Sequence, residues 1–594
     1  MIGFSRSQAG TADFSAGVVD PHAAAAAAST TVATHRYQLL LLTVPLNLLL
    51  LCPTSGGPSR TPDCTMRAVP RQIRLLSLIA IALAAYVLSS AAQSKNSDGQ
   101  SLITRAAEAL GGRDRILKIR TLTIEGYGQL AYQNGGGNIT SSIDAPQKWI
   151  DVNDFVRIID LEHGRTRVRQ RQVNDFVFAA AQNMKGITST QAVDVDVAFN
   201  VSPTGVTTRV PAAAARARRM EAMAHPIVVV HMAMGPKSVV ANYRKTGGLE
   251  LVDVTSPLGD AMTLAIDASS SLPAWVGWTG PDTNLGDVTY RAAFTGYEPV
   301  SGVLMPTGIN TTIDFRSIVQ SKLSVDRQAI DATLEDLEAP PAVRAAPAPV
   351  PPAPTIEATS IGKGIWFLRG AGNSVLFEFD DHLTLFEVYA SEANAKAVID
   401  KARSLVPGKP LTEAIVSHHH FDHTGGLRTA VAEGLTIVMQ RGNEAFIREV
   451  TSRPAKLFPD ALGRTPKPLK FRAVDDHLKM ADKSMDIDIY RVVANTHMAD
   501  GLMIYVPRER LLAQGDLFDI NWEVYWWGSS YMDNVKFRNL QVDRDVPVHG
   551  RILPIAEVQQ AIAKQIANAQ ALCASVDAAG LSMRGCPVKT TVDR

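Results

Sequence analysis

The chain has 594 residues, and its 59 basic side chains nearly balance 58 acidic ones, for a formal net charge of +1. This balance carries no electrostatic footprint for nucleic acid, and the length leaves room for several domains. The cysteines show no Cys-x-x-Cys spacing, which argues against a thiolate metal site.

Residues 1–65 are Ala/Thr-rich and read as a non-native or disordered extension. Their apolar run at 39–51 is interrupted by Pro45 and Asn47 and is too short to span a bilayer comfortably. From Met66 the order is a basic segment, an apolar run at 75–88, and the small residues Ser90, Ala91 and Ala92. That order is the n-region, h-region and cleavage site of a signal peptide over 66–92, so the mature protein is expected to be periplasmic or secreted. The alternative is a genuine long N-terminus that leaves the chain anchored. Cleavage leaves only Cys573 and Cys586, which in an oxidising compartment could close one local disulfide.

A β-rich domain is expected over 95–337. It opens with a short helix over 101–112 that ends at Gly111 and Gly112. Strand-like runs follow at 121–129, 148–152, 166–178, 262–266 and 288–297, separated by Gly, Asn, Asp and Pro turns, the pattern of a mainly antiparallel sheet. A helical insertion is predicted over 211–224, with Pro211 at its first position and Pro226 stopping it. Arg165, Arg167, Arg169 and Arg171 alternate with other residues as one solvated strand face would. His163, His225 and His231 are isolated and receive no role. The Leu110-Gly111-Gly112 opening, with Leu272-Pro273 and Val303-Leu304-Met305-Pro306, resembles the curved sheet of lipoprotein-carrier-like exported proteins. Three roles are open for this domain: docking to an envelope or membrane-surface partner, covering the site, or presenting substrate. Residues 338–355 are Pro/Ala-rich, an extended, semi-rigid linker.

The third unit, 356–575, mixes strands with helices such as 392–405, where Val398, Ala402 and Leu405 share a face. Its apolar run at 414–417 leads into His418-His419-His420-Phe421-Asp422-His423, followed by Gly425 and Gly426. Imidazoles and a carboxylate gathered this closely suit zinc, and to a lesser degree iron or manganese. His418, His420, Asp422 and His423 can supply half the ligands of a two-metal site. His497, Asp516 and His549 each end a later apolar run and can complete it. His419 points away from its neighbours by side-chain alternation and reads as a supporting or surface residue. His382 and His477, flanked by acids, look like solvated turns. The segment 521–531 brings Trp522, Trp526 and Trp527 together, either as an apolar wall beside the site or as core under a long loop. A closing helix over 555–574 and a tail over 576–594 complete the chain.

The His-x-His-x-Asp-His run and the ordered His497, Asp516 and His549 resemble the metallo-β-lactamase superfamily over roughly residues 355–570. The resemblance implies an α/β (α+β) fold, an αββα sandwich of two mixed sheets between outer helices. It implies that His418, His420 and His497 bind one metal and Asp422, His423 and His549 a second, with Asp516 bridging two Zn(2+) ions. Glu387 stands where the family usually has an aspartate supporting the histidine loop. The implied chemistry is hydrolysis by a metal-bridging hydroxide that Asp422 orients. An aspartate at Asp516 is similar to thioesterases, lactonases, phosphodiesterases and alkylsulfatases of the superfamily rather than to its true β-lactamases. The expected substrate is therefore a small molecule with an ester, thioester, lactone or sulfate-ester bond. Two alternatives remain: a mononuclear iron enzyme of the persulfide-dioxygenase type, and a non-catalytic envelope lipid- or lipoprotein-binding protein.

Overall fold

The structure, a computed structural model, describes residues 48–51, 65–68, 97–132, 148–175, 186–333, 335–498, 500–579 and 586. Within the N-terminal extension, Leu48–Leu51 pairs antiparallel with Thr65–Ala68. The signal peptide expected over 66–92 otherwise lies outside the described residues. No helix among the described residues is long and apolar enough to cross a membrane.

Residues 97–333 build a sheet of thirteen antiparallel strands, with Thr207–Arg209 at one edge and Val239–Thr246 at the other. The strand runs legible in the sequence lie in it as Thr121–Tyr132, Lys148–Asp160, Arg165–Asp175, Ala261–Asp267 and Gly286–Val300; positions 176–178 of the run at 166–178 lie outside the described residues. The first helix spans 97–109 and buries Leu102, Ile103, Ala106 and Leu110 against the sheet. Gly111 (φ 132°) and Gly112 (φ 107°) then turn the chain into Arg113–Lys118. Pro226 ends the helix Ala212–Met223, as expected, but also opens a second one, Pro226–Met234. A proline at a first helical position loses no hydrogen bond, so one residue can do both. Three of the four arginines of the row are paired: Arg165 with Asp194, Arg167 with Glu335, Arg171 with Asp154.

The Pro/Ala segment departs from a free spacer. Pro341–Ala345 is a short helix whose Val343 packs on Ala192, Val197 and Phe199 of the sheet. Asp194 accepts from the backbone of Ala339 (2.8 Å) and from the Arg344 guanidinium. A buried carboxylate that takes two of its donors from here gives this stretch a fixed place that proline content alone does not predict.

The remaining residues form the expected αββα sandwich. A seven-stranded sheet runs from Glu357–Gly362 to Lys470–Val474, and a six-stranded one from His477–Ala481 to Leu553–Pro554. Phe377, Phe386, Ile415 and Val438 of the first face Ile487, Ile504, Leu511 and Val546 of the second in one core. Helices Glu392–Leu405 and Glu444–Ser452 cover the outer face of the first sheet, and Ser529–Phe537 and Ile555–Ala578 that of the second. In the first sheet Leu383–Phe386 and Leu411–Ile415 run parallel, and in the second Leu511–Gln514 and Arg544–Pro547 do. Parallel neighbours end at the same edge, so the loops that follow all four strands can meet. A disulfide joins Cys573 on the last helix to Cys586.

Candidate metal centre

Those four strands end at Glu387, at the histidine run, at Asp516 and at His549. Two donor clusters result: His418, His420, His497 and Asp516, and Asp422, His423 and His549, with the ligand atoms of each within 4.8 Å of one another. All seven residues predicted as ligands are therefore brought together. Asp516 joins the clusters. Its Oδ2 lies 2.8 Å from His497 Nε2 and 3.5 Å from His418 Nε2, and its Oδ1 lies 3.1 Å from both His423 Nε2 and His549 Nε2. Asp422 Oδ2 is 3.7 Å from His423 Nε2 and 3.9 Å from His549 Nε2.

The donor set fits divalent ions. His418 Nε2 and His420 Nδ1 face each other at 2.9 Å. Asp516 Oδ1 and His423 Nε2 are buried and close, yet neither forms a well-aligned hydrogen bond among the described residues. Lone pairs aimed at a common point rather than at each other are what coordination requires. Burial also disfavours charge on the imidazoles: it lowers His420 well below its ordinary pKa and His497 to about 4. Neutral imidazole is the ligand form. On the other side, burial is outweighed at His423 by the charges of Asp516, Asp422 and Glu387, which raise its pKa well above the ordinary imidazole value.

Supporting residues fix these rings. Glu387 is fully buried; its Oε1 accepts from the Ser417 backbone N–H (2.8 Å) and its Oε2 faces His423 Nδ1 at 3.3 Å. The longer carboxylate thus reaches the histidine loop. Ser417 Oγ lies 2.9 Å from His418 Nδ1 and 3.3 Å from His423 Nδ1, tying one ring of each cluster to one hydroxyl. Such outer partners set tautomer and orientation. Gly426 lets the loop pack on its neighbour, since a Cβ there would lie 2.1 Å from Val388 O. The Tyr389 hydroxyl donates to Asp422 Oδ2 (3.2 Å), and its ring meets His423 and His549 edge-on.

Three expectations change. His497 follows no strand directly: Asp486–Arg491 ends earlier, and Asn495 Oδ1 accepts from the N–H groups of His497 and Met498 to shape the loop. His419 is not a surface residue but is buried, edge-on to Phe446 at 6.3 Å, and stands outside both clusters. His477 begins a strand and bonds Asp488 (2.7 Å), while His382 follows a bend at Asp380–Asp381 and is half-buried, stacked on Phe379. The aromatic segment closes on the site. Trp527 stacks on His497 (4.2 Å, 8°), and the Trp527 indole N–H and Tyr525 hydroxyl both donate to Asp516 O.

Two residues of the β domain bear on the site and carried no sequence signal. Lys148 begins a strand opposite Tyr132. Burial lowers its pKa to about 8 against the opposing pull of Asp516 and Asp422. Asn284 donates to the backbone of the histidine loop at Phe421 O (2.9 Å).

Fold and site together define an αββα sandwich carrying a His/Asp centre for divalent metal. Residues 368–524 match the metallo-beta-lactamase superfamily, and the C-terminal half of the chain contains a domain of that superfamily. A 72-residue stretch is 36% identical to a linear primary-alkylsulfatase from Pseudomonas sp, covering 12% of this chain and 11% of that protein. A metallo-beta-lactamase from Pontibacter korlensis is similar over 36% of this chain and 99% of its own, at 13% identity and a TM-score of 0.28. The flavodiiron core of Flv1 from Synechocystis sp. PCC6803 is similar over 36% of this chain and 63% of its own, at 13% identity and a TM-score of 0.29.

Proposed function

We propose that this protein is a metal-dependent hydrolase that holds two divalent ions, zinc first among them, and cleaves an ester-type bond, with sulfate esters foremost. The observation that carries this reading is the Asp516 carboxylate, which turns one oxygen to each donor cluster. The stretch similar to a linear primary-alkylsulfatase supports the sulfate ester over the lactone and thioester. So does Lys148, a cation within electrostatic reach of Asp516 and Asp422 that could meet the charge of an anionic group. An exported enzyme agrees with the signal peptide expected over 66–92 and with the Cys573–Cys586 disulfide.

His418, His420 and His497 would hold one ion and Asp422, His423 and His549 the other, with Asp516 between. Bound ions would supply an acidified water and polarise the bond under attack. The residues of the chain do the rest. Burial, then the charges of Asp422 and Asp516, raise the Tyr389 phenol well above its ordinary range. Tyr389 therefore stays protonated and keeps donating to Asp422 Oδ2, which leaves that carboxylate in one orientation. Trp527 and Tyr525 shield the opposite wall from water.

Metal analysis by mass spectrometry on the whole chain and on Asp516→Ala tests the centre. About two zinc ions per wild-type chain, with fewer in the variant, is the expected result. A linear alkyl sulfate should then be hydrolysed faster than a carboxylic ester, a thioester or a lactone. A single iron would favour the persulfide-dioxygenase type of chemistry, and no bound metal would defeat the proposal.

A further inference from the structure

Besides the strand of Lys148, a hairpin of the β domain, between the strands Pro273–Asp282 and Gly286–Val300, reaches the metal centre. At its tip Asp282 Oδ1 accepts from the N–H groups of Asn284 and Leu285 (2.9 Å each), which sets the turn and aims the Asn284 side chain at the other domain. Asn284 is 4 % exposed. Its amide nitrogen donates to Phe421 O (2.9 Å) and to Thr424 Oγ1 (2.8 Å). A carbonyl oxygen can only accept, so the nitrogen of the amide must face this way. The Thr424 hydroxyl passes the contact on to His420 O (3.0 Å). The two ends of the short helix Phe421–Thr424 are thus tied to one side chain, and Asp422 and His423 lie between them.

The hairpin itself is fixed from several sides. Asp287 accepts from the backbone N–H groups of Lys456, Leu457 and Phe458 and donates its own to Pro454 O. Arg453 donates to Leu285 O and Asp287 O. Gly286 sits so near the other domain that a Cβ there would lie 2.5 Å from Pro454 O.

We propose that Asn284 is a positioning residue of the metal centre, so that the β domain is an integral part of the site and not an appended partner-binding module. The reason is geometric. Asp422 and His423 belong to a single helical turn that the sandwich holds on one side, through the Ala390 N–H on Asp422 O and Tyr389 on its carboxylate, and that the Asn284 donors of the β domain hold on the other. Outer partners of metal ligands govern affinity by restricting the ligands before the ion arrives, and losing one costs about 10–100-fold. The proposal rests on the two-ion reading, and the test separates the two.

Metal dissociation constants are measured by chelator competition with zinc on the whole chain, for the wild type, Asn284→Ala and Arg316→Ala. Hydrogen exchange at the Thr424 amide, which bonds His420 O at 2.9 Å, is followed in the metal-free proteins. In Asn284→Ala, one of the two ions should bind about tenfold or more weakly, and the Thr424 amide should exchange faster. Arg316→Ala removes the Glu449 pair at the rim of the same interface, and should lower the unfolding midpoint with both dissociation constants unchanged. Should Asn284→Ala fail to fold, Asn284→Asp keeps the shape, lacks the donors, and carries the same expectation. Unchanged zinc affinity in a folded Asn284 variant, or an equal loss in Arg316→Ala, would overturn the proposal. A wild type that binds no zinc would instead defeat the two-ion reading, and the exchange rates would then decide the role of Asn284 alone.

Discussion

Glu387 holds a backbone conformation that a non-glycine residue adopts only under constraint, with φ at 71°. Such a residue carries strain of the order of 1–3 kcal/mol, which the surroundings must offset. Here the offset is visible: its N–H donates to Ile415 O, its carbonyl accepts from Ser374 Oγ, and its carboxylate meets Ser417 N and His423 Nδ1. Glu387→Gln keeps an acceptor for Ser417 but removes the charge facing His423, and should weaken zinc binding about tenfold in a chelator titration. Glu387→Ala should cost more, since the buried Ser417 N–H then has no acceptor, a penalty of about 1–3 kcal/mol. Zinc affinity equal to wild type in both would show that Glu387 supports the fold alone. Asp545 makes a second case. It is fully buried beside Gln514, and burial raises its pKa to about 8. The folded state therefore keeps a proton that the unfolded state releases near pH 4. Its contribution to stability is complete below the unfolded pKa, falls as the pH rises, and is gone above about 8. Urea unfolding of wild type and Asp545→Asn at pH 5 and pH 8 should show the variant gaining on the wild type at the higher pH. A constant difference between the two would mean Asp545 does not titrate across that window.

The elements that sequence made legible are those whose chemistry and periodicity are local. A histidine run after an apolar strand shows its role without any knowledge of its neighbours, and the helix Glu392–Leu405 shows its buried face in Val398 and Ala402. Asp516 and His549 were readable for the same reason, each ending a short apolar strand. His497 was found by residue type although its strand ends early, because the apolar Val492 continues the pattern into the loop. What stayed hidden depends on contacts between elements far apart in the chain. Asp282 and Asn284 look like ordinary hairpin-turn residues, and they are that; nothing local says that the tip enters a second domain. Lys148 is one cation among many until the fold brings its strand to the metal centre. The docked Pro341–Ala345 is hidden likewise, since its partner Asp194 lies on a distant strand of the sheet. The aromatic segment had two readings, and both describe part of it: Trp527 stacks on a ligand ring, while Tyr531 is buried beside Phe518 in the outer core.

At the scale of the whole molecule, the two domains share a core instead of merely touching. Leu285, Val288, Ile313, Phe315 and Ile318 come from the β domain, are each no more than 3 % exposed, and pack in one cluster with Val398, Leu427, Phe446 and Ile447 of the sandwich. Fully burying a side chain of this size contributes about 1.5–3 kcal/mol, so five of them rival the entire net stability of an ordinary domain. Polar contacts close the rim, with Arg453 on Asp314 (2.8 Å) and Arg316 on Glu449 (2.6 Å). Opening this interface would expose the apolar side chains on both halves and withdraw Asn284 from the metal loop in the same motion. The two halves should therefore unfold together, and metal should stabilise both, because an ion that binds only the folded site adds RT ln(1 + [L]/Kd) to whatever unfolds with it. Calorimetry on the whole chain is expected to give one endotherm, shifted down as a single peak when a chelator strips the metal. Two endotherms, of which the chelator moves only one, would mean that the sandwich melts independently. The shared core would then be a contact surface, and the β domain could be removed without cost to the centre.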